Sequence, residues 1–193
     1  MHTPGHALIN IATLGSILGH EGAILAGALL PDVPIVILYL QQRLRGTPEE
    51  TIWAVHYQQR FWLALIHGAH SIPLAGLGAL LSWLLGSGAG VAFFVSVLLH
   101  ACCDLPVHAI DAHRHFLPFS QYRFVSPISY WDPRFHARYV AAAEALLVLG
   151  CSIFIALSLA AHWRPSVRMV AIALMVAINL WYARSYWRSF VRA

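Results

Sequence analysis

The chain has 193 residues, of which 59% are hydrophobic and only 10% are charged. A soluble globular domain carries about 25% charged residues, so this chain has too few polar groups to cover a water-facing surface. Its formal net charge of +4 arises from twelve arginines against eight acidic residues. Several arginines stand near the C-terminal end, where they suit contact with anionic lipid head groups, so we expect no nucleic-acid partner. The composition therefore indicates an integral membrane protein.

Six apolar segments are separated by turns or polar stretches, and each is predicted to be a helix. In chain order they cover residues 6–19, 23–40, 61–85, 91–107, 139–161 and 169–186. The first is short for a membrane span, which needs about 20 residues, and Pro31 and Pro34 interrupt the second. A helical bundle is one of only two structures in which the backbone satisfies all of its own hydrogen bonds within lipid. We therefore predict an all-α, polytopic transmembrane bundle of about five to six membrane helices.

The chain is predicted to form a single integral membrane domain over residues 1–193. Residues 1–120 carry the polar side chains that suggest a metal site, and residues 139–193 add two C-terminal membrane helices. If all six segments cross, ten arginines share one side with both termini, and the other side holds only Arg164 and Arg168. Because loops rich in Lys and Arg stay in the cytoplasm, we expect cytoplasmic termini.

Four of the apolar segments carry His or Asp at a similar depth. At a rise of 1.5 Å per residue, most of these side chains lie within about 5–14 Å of the predicted cytoplasmic boundary. An ionisable residue inside a span costs roughly 2.5–3.5 kcal/mol on insertion scales, so each one needs a physical reason. The residues are His6, Asp32, His67, His70, His100 and Asp104.

Imidazole nitrogens and carboxylate oxygens are the ligands that hold Zn²⁺, Mn²⁺ or Fe²⁺ in proteins. His100 and Asp104 lie one helical turn apart on one face, and His108 extends the same face by another turn. Each residue also has a structural explanation, such as a hydrogen-bonded interior His or, for Asp32, the cap of a broken helix. A shared metal site would explain with one cause why all of these His and Asp residues lie at a similar depth.

The polar stretch after the fourth segment contains Asp111, His113 and His115. These side chains could complete a second metal position or act as acid–base groups. Alternatively, they belong to a solvated loop whose charge varies with pH. We take Asp104, His108 and His113 as the candidate catalytic residues.

Four short motifs occur in a characteristic order along residues 1–120: Thr3-Pro4-Gly5-His6, Leu29-Leu30-Pro31-Asp32, His70-Ser71 and His100-x-x-x-Asp104. In this order they resemble the membrane-bound metal-dependent hydrolases, a family of LexA-binding, inner-membrane-associated proteins. That family is itself similar to zinc-dependent phospholipase C and to single-strand nucleases of the same helical fold. The resemblance implies a bacterial-type inner (plasma) membrane protein, with zinc as its metal. The metal ligands it implies are His6, Asp32, His70, His100 and Asp104.

Two stretches depart from the family pattern. The usual His-Arg-x-x-Thr-His-Ser is replaced by a sequence that keeps only His70 and Ser71, and the usual Thr-x-x-Gly after the Asp is replaced by Leu105-Pro106-Val107-His108. A His placed after the Asp is closer to the phospholipase pattern. We therefore add His108 to the predicted metal ligands.

Three functions are compatible with these residues. The first is a membrane-embedded metal-dependent hydrolase that acts on a lipid or phosphoester at the cytoplasmic leaflet, with Arg114 or Arg123 binding the head group. The alternative is a non-enzymatic metal-binding membrane protein that transports, senses or scaffolds. A di-iron oxidase ranks last, because the chain has only one His-x-x-His. Zn²⁺ is the expected metal, with Mn²⁺ or Fe²⁺ as alternatives.

Overall fold

The computed structural model describes residues 1–192, and every regular element in that range is helical. The predicted all-α class is confirmed. The helices are α1 (Thr3–Leu18), α2 (Glu21–Leu29), α3 (Val33–Leu44), α4 (Glu49–Thr51), α5 (Arg60–Ala69), α6 (Ile72–Leu84), α7 (Gly88–Asp104), α8 (Ala137–Phe154) and α9 (Pro165–Phe190). A 3₁₀ turn, Leu30–Asp32, joins α2 to α3, and another, Leu105–Val107, extends α7.

Four helical stretches are long and apolar enough to cross a membrane: Glu21–Leu44, Gly88–Val107, Ala137–His162 and Pro165–Phe190. Helices α5 and α6 together meet the same criterion, as a pair bent by 49°. Residues 1–192 therefore contain four to five candidate spans, and the predicted number of five to six is reached only if the bent pair counts as one span. With 16 residues, α1 is shorter than the roughly 20 residues that a span requires.

Two membrane helices are broken where a candidate ligand lies. Proline lacks an N–H and clashes with the preceding turn, so Pro31 and Pro34 convert the middle of the second apolar segment into the 3₁₀ turn that ends at Asp32. The third segment, predicted as a single helix, is two helices that meet at His70 and Ser71. There the Ser71 hydroxyl accepts the N–H of Leu74 at 3.2 Å and caps α6.

Helices α1, α2 and α7 pack closely through small and polar residues. A Cβ on Gly27 would lie 2.2 Å from the carbonyl oxygen of Phe93, so only glycine allows α2 to approach α7 this closely. The Ser96 hydroxyl donates to the Ile24 carbonyl at 2.6 Å, and the Asn10 amide donates to the Ser96 hydroxyl at 2.8 Å. Such small residues and interhelical hydrogen bonds hold membrane helices together where lipid removes the hydrophobic driving force.

The connection from residue 108 to residue 136 is largely irregular and folds back against the end of α7. The Ser126 hydroxyl donates to the Pro106 carbonyl at 2.5 Å, and the Tyr130 N–H donates to the Val107 carbonyl at 3.1 Å. The Ile72 N–H donates to the His115 carbonyl at 2.8 Å, which ties the same connection to the break between α5 and α6. The loop is therefore an ordered part of the fold, and it brings His108, His113 and His115 into the interior.

Candidate metal centre

Asp32, His70, His100 and Asp104 form a buried group in which one ligand atom from each residue lies within 4.8 Å of the others. Asp32 comes from the break between α2 and α3, and His70 from the break between α5 and α6. His100 and Asp104 both come from the last turns of α7. The helix breaks thus bring separate segments to one point in the bundle.

The hydrogen bonds of the two histidines determine which ring nitrogen faces the carboxylates. Nδ1 of His100 lies 2.7 Å from the Ala28 carbonyl oxygen, and Nδ1 of His70 lies 2.8 Å from the Ile66 carbonyl oxygen. A carbonyl oxygen can only accept, so each Nδ1 carries a hydrogen and donates it. In the neutral ring the lone pair is then on Nε2, as in a metal-ligating histidine whose other nitrogen is held by the protein.

Both Nε2 atoms point at carboxylate oxygens. Nε2 of His70 lies 3.4 Å from Oδ2 of Asp104 and 3.7 Å from Oδ1 of Asp32, and Nε2 of His100 lies 3.3 Å and 3.7 Å from the same two oxygens. Four ligands at the corners of a tetrahedron, each about 2.0–2.2 Å from a metal, lie about 3.3–3.6 Å apart. Within residues 1–192 neither buried Nε2 has a hydrogen-bond partner. The donor set and its spacing therefore fit a divalent cation at the centre of the group.

The outer oxygens of the two carboxylates are held by neighbouring groups. The Thr3 hydroxyl donates to Oδ2 of Asp32 at 2.5 Å, which leaves Oδ1 directed at the histidines. Oδ1 of Asp104 lies 2.7 Å from the nitrogen of Met1 and 2.9 Å from Nε2 of His6. Thr3 and His6 thus orient the carboxylates.

His6 is buried and stacks on His100, with ring centroids 3.5 Å apart. It lies outside the group of four. Its Nε2 contacts Asp104, and its buried Nδ1 has no partner among the described residues. The structure thus places His6 beside the centre, and its role as a metal ligand stays a prediction.

Asp104, His108 and His113 form a second buried group whose ligand atoms also lie within 4.8 Å of one another. Nε2 of His108 lies 3.3 Å from Oδ1 of Asp104. Because Asp104 belongs to both groups, it would contribute a ligand to a cation held by either one. This second group unites the three residues predicted to be catalytic.

Asp111 orients His108. Its Oδ2 lies 2.8 Å from Nδ1 of His108 and accepts the indole N–H of Trp131 at 2.8 Å. Burial raises the pKa of Asp111, but the hydrogen bonds from His108 and Trp131 outweigh burial and keep its pKa below the ordinary value. The ionised carboxylate holds the hydrogen on Nδ1, so in the neutral ring the lone pair stays on Nε2. That nitrogen lies 3.2 Å from the nitrogen of Met1 and 3.3 Å from Oδ1 of Asp104.

Three further histidines, His67, His113 and His115, surround His70 near the candidate centre. The ring of His113 is 4.1 Å from that of His70, and the ring of His115 is 6.3 Å away. Burial lowers the pKa of His113 well below its usual range and that of His115 to about 4. Nδ1 of His67 lies 3.4 Å from the Arg114 nitrogen, which donates its N–H to it. His67 and His115 belong to neither group.

A cavity of 320 Å³ opens onto the two groups. Its polar wall includes Asp32, Asp104, His108 and His113. Its other walls come from the first residues of the chain, from Tyr130 and from apolar side chains of α3 and α9. The four residues of the polar wall are therefore accessible to a small molecule, whereas His70 and His100 are buried and do not line the cavity.

Glu144 and Tyr182 attach the N-terminal segment to helices α8 and α9, and sequence reasoning missed this role. From the sequence alone, Arg138 and Arg114 are the candidate partners of Glu144. Instead, Oε1 of Glu144 accepts the backbone N–H of His2 at 2.8 Å and the hydroxyl of Tyr182 at 2.7 Å. The burial of an acidic residue in an apolar helix was the one available signal, and it did not identify the partner.

The two arginines proposed for head-group binding donate hydrogen bonds within the loop instead. Arg123 donates to the carbonyl oxygens of Ala112 at 2.6 Å and Ile110 at 3.2 Å. Arg114 donates to the Gln121 side chain at 2.6 Å. Neither arginine lines the cavity.

Comparison of the chain with protein-family models, with curated proteins and with solved structures found no match. The fold and the two groups of side chains define an all-helical protein with membrane-spanning helices and a buried His/Asp cluster that could hold a metal ion. The family resemblance stays a prediction.

Proposed function

We propose that the protein is a membrane-embedded metal-dependent hydrolase acting on a lipid or phosphoester at the cytoplasmic leaflet of a bacterial-type inner membrane. The observation that supports this most strongly is the geometry of His70 and His100. Each presents a lone pair on Nε2 to carboxylate oxygens at 3.3–3.7 Å. In a buried setting, neutral rings in this orientation repel the carboxylates unless a cation lies between them. A divalent metal at the centre would serve both rings and both carboxylates at once, whereas a proton on Nε2 would serve one ring only.

Two imidazoles and two carboxylates suit Zn²⁺, with Mn²⁺ and Fe²⁺ as alternatives. A divalent metal bound there would polarise a substrate oxygen and lower the pKa of a bound water to about 7. Asp32 and Asp104 would supply the negative charge that holds the metal. His108, oriented by Asp111, would either bind a second cation or move a proton at its Nε2.

The alternative is a metal-binding protein without catalysis, and one observation favours it. The four residues of the first group would fill a tetrahedral shell, and closed four-ligand sites are typically structural. Access through the cavity and the second group around Asp104 favour the hydrolase instead.

The first experiment measures bound metal per chain by plasma mass spectrometry on protein purified in detergent without chelator. We expect stoichiometric zinc, manganese or iron in the wild type and its loss in the double variant His100→Ala/Asp104→Ala. The matched control is His162→Ala, an exposed histidine in the turn before α9, which should retain the metal. Absence of metal from the wild type, even after reconstitution, would contradict the metal site.

The second experiment tests hydrolysis with a water-soluble aryl phosphodiester and with phospholipid in vesicles. We expect turnover by the metal-loaded protein, loss of turnover after treatment with a chelator, and recovery on adding the metal back. Metal-loaded protein that hydrolyses neither class of substrate would favour the non-catalytic alternative.

A further inference from the structure

The cavity at the metal centre has an apolar end formed by two membrane-spanning helices. Ile35 and Val36 line it from α3, and Trp181 lines it from α9. Both helices belong to stretches that meet the length and hydropathy of a membrane span. The cavity therefore runs from buried ionisable groups to helices that face lipid.

The side chains at this end are also open to the surroundings. Val36 is 46% exposed and Trp181 is 43% exposed, although both line the cavity. A residue that is exposed on a membrane-spanning helix and also lines an internal cavity lies at an opening toward the hydrocarbon. Tyr130 and His2 also line the cavity, whose wall thus combines these apolar side chains with the polar groups of the candidate centre.

We infer that this opening admits one hydrocarbon chain of a membrane lipid, with the lipid's ester or phosphoester placed at Asp32, Asp104 and His108. The inference rests on the proposed function and narrows its substrate to an amphiphile that enters from the bilayer. A cavity of 320 Å³ is at the lower end of ligand pockets, which measure about 300–1,000 Å³. It suits one chain rather than a whole two-chain lipid.

Chain length should then control binding. An amphiphile added from water as a monomer should bind about fourfold more tightly for each methylene that the cavity buries, the equivalent of about 0.8 kcal/mol. A chain that enters from the bilayer gains no such amount, because it leaves one apolar environment for another. Ile35, Val36 and Trp181 would be the specificity-determining residues, because they contact the part of the ligand that distinguishes a lipid from a water-soluble ester.

The direct test uses a long-chain alkyl phosphonate that cannot be hydrolysed and carries a photoreactive diazirine on its chain. The probe is incorporated at low mole fraction into nanodiscs that contain the purified protein, and labelled residues are mapped by mass spectrometry. We expect Ile35, Val36 and Trp181 to be labelled severalfold above Ile37 and Leu180, which are exposed on the same helices but do not line the cavity. Even labelling of all five positions would overturn the inference.

Two pairs of variants test the opening through function. Val36→Trp should obstruct it, whereas Ile37→Trp places the same bulk on the lipid-facing side. Trp181→Ala should widen the opening and reduce, at least fourfold, the preference for long chains among monomeric amphiphiles added from water. Leu180→Ala should leave that preference unchanged. Metal content equal to that of the wild type serves as the check that each variant is folded.

The outcomes separate this inference from the proposed function. If Val36→Trp abolishes hydrolysis of phospholipid but keeps hydrolysis of the aryl phosphodiester, the opening is the lipid route. If Val36→Trp hydrolyses both substrates at the wild-type rates, the proposed lipid route is wrong and the proposed hydrolase activity is supported. If no protein hydrolyses either substrate, the hydrolase fails, and the photolabelling pattern still decides whether a chain occupies the cavity.

Discussion

At the scale of single residues, the candidate centre depends on groups that hold its ligands as much as on the ligands themselves. Ala28 and Ile66 fix the protons of His100 and His70 through their carbonyl oxygens, and Asp111 does the same for His108. The Thr3 hydroxyl holds one oxygen of Asp32. Such outer partners typically alter metal affinity or activity by about 10- to 100-fold when they are removed.

Asp111→Ala should weaken metal binding at the Asp104, His108 and His113 group by about 10- to 100-fold, because Nδ1 of His108 loses its acceptor and the ring can change tautomer. Binding at the other group should change little. Titration of metal-stripped protein with zinc, in competition with a chelating dye, measures both affinities. Asp132→Ala is the matched control, since Asp132 lies in the same loop but pairs with Arg134. Equal effects of the two substitutions would contradict the role given to Asp111.

The residues that form the first group could be predicted from the sequence, but their supports could not. Asp32, His70, His100 and Asp104 are ionisable residues in apolar segments, and helix rise alone placed them at one depth. Thr3 and Glu144 act through contacts between distant parts of the chain. No local periodicity encodes such contacts, so the partners of Thr3 and Glu144 could not be predicted from the sequence.

At the scale of elements, the centre depends on the close approach of α2 and α7. His100 donates to the Ala28 carbonyl across this interface, and Gly27 lies where a Cβ would be 2.2 Å from a backbone oxygen of α7. The approach of two backbones thus sets the position of a candidate ligand. Small residues at helix contacts are the usual means of such an approach in membranes.

Gly27→Ala should push α2 away from α7 and lengthen the contact between His100 and Ala28. We expect a loss of stability of about 1–3 kcal/mol, typical of overpacking, together with reduced metal content. Thermal unfolding in detergent and metal analysis measure the two effects. Gly22→Ala, in the same helix but with open space at its Cβ, should be neutral in both. A stable Gly27→Ala protein with full metal content would show that the approach of the helices is not required.

The helix breaks were only partly predictable. Two prolines around Asp32 indicated the first break directly. The break at His70 and Ser71 has Pro73 just after it, but the surrounding sequence reads as a continuous apolar run. The loop supplies the missing determinant, because the His115 carbonyl accepts the Ile72 N–H at this point.

At the scale of the whole molecule, the distribution of arginines relates the candidate centre to the two faces of the membrane. Arg164 lies just before α9 and Arg168 lies in its first turn. With α5 and α6 together as one span, the other ten arginines lie in or beside the segments at the opposite ends of the spans. The loop over residues 108–136, which contributes His108 and His113, belongs to that arginine-rich end. By the positive-inside rule the candidate centre should therefore face the cytoplasm.

Cysteine labelling in intact cells tests this orientation. In a background where Cys102, Cys103 and Cys151 are replaced by alanine, a single cysteine is introduced at Ser166, before most of α9, or at Glu50, between α3 and α5; both positions are exposed. A membrane-impermeant maleimide should label Ser166→Cys in intact cells and Glu50→Cys only after the membrane is permeabilised. The reverse pattern would place the candidate centre on the outer side, where the substrate would have to come from the opposite leaflet.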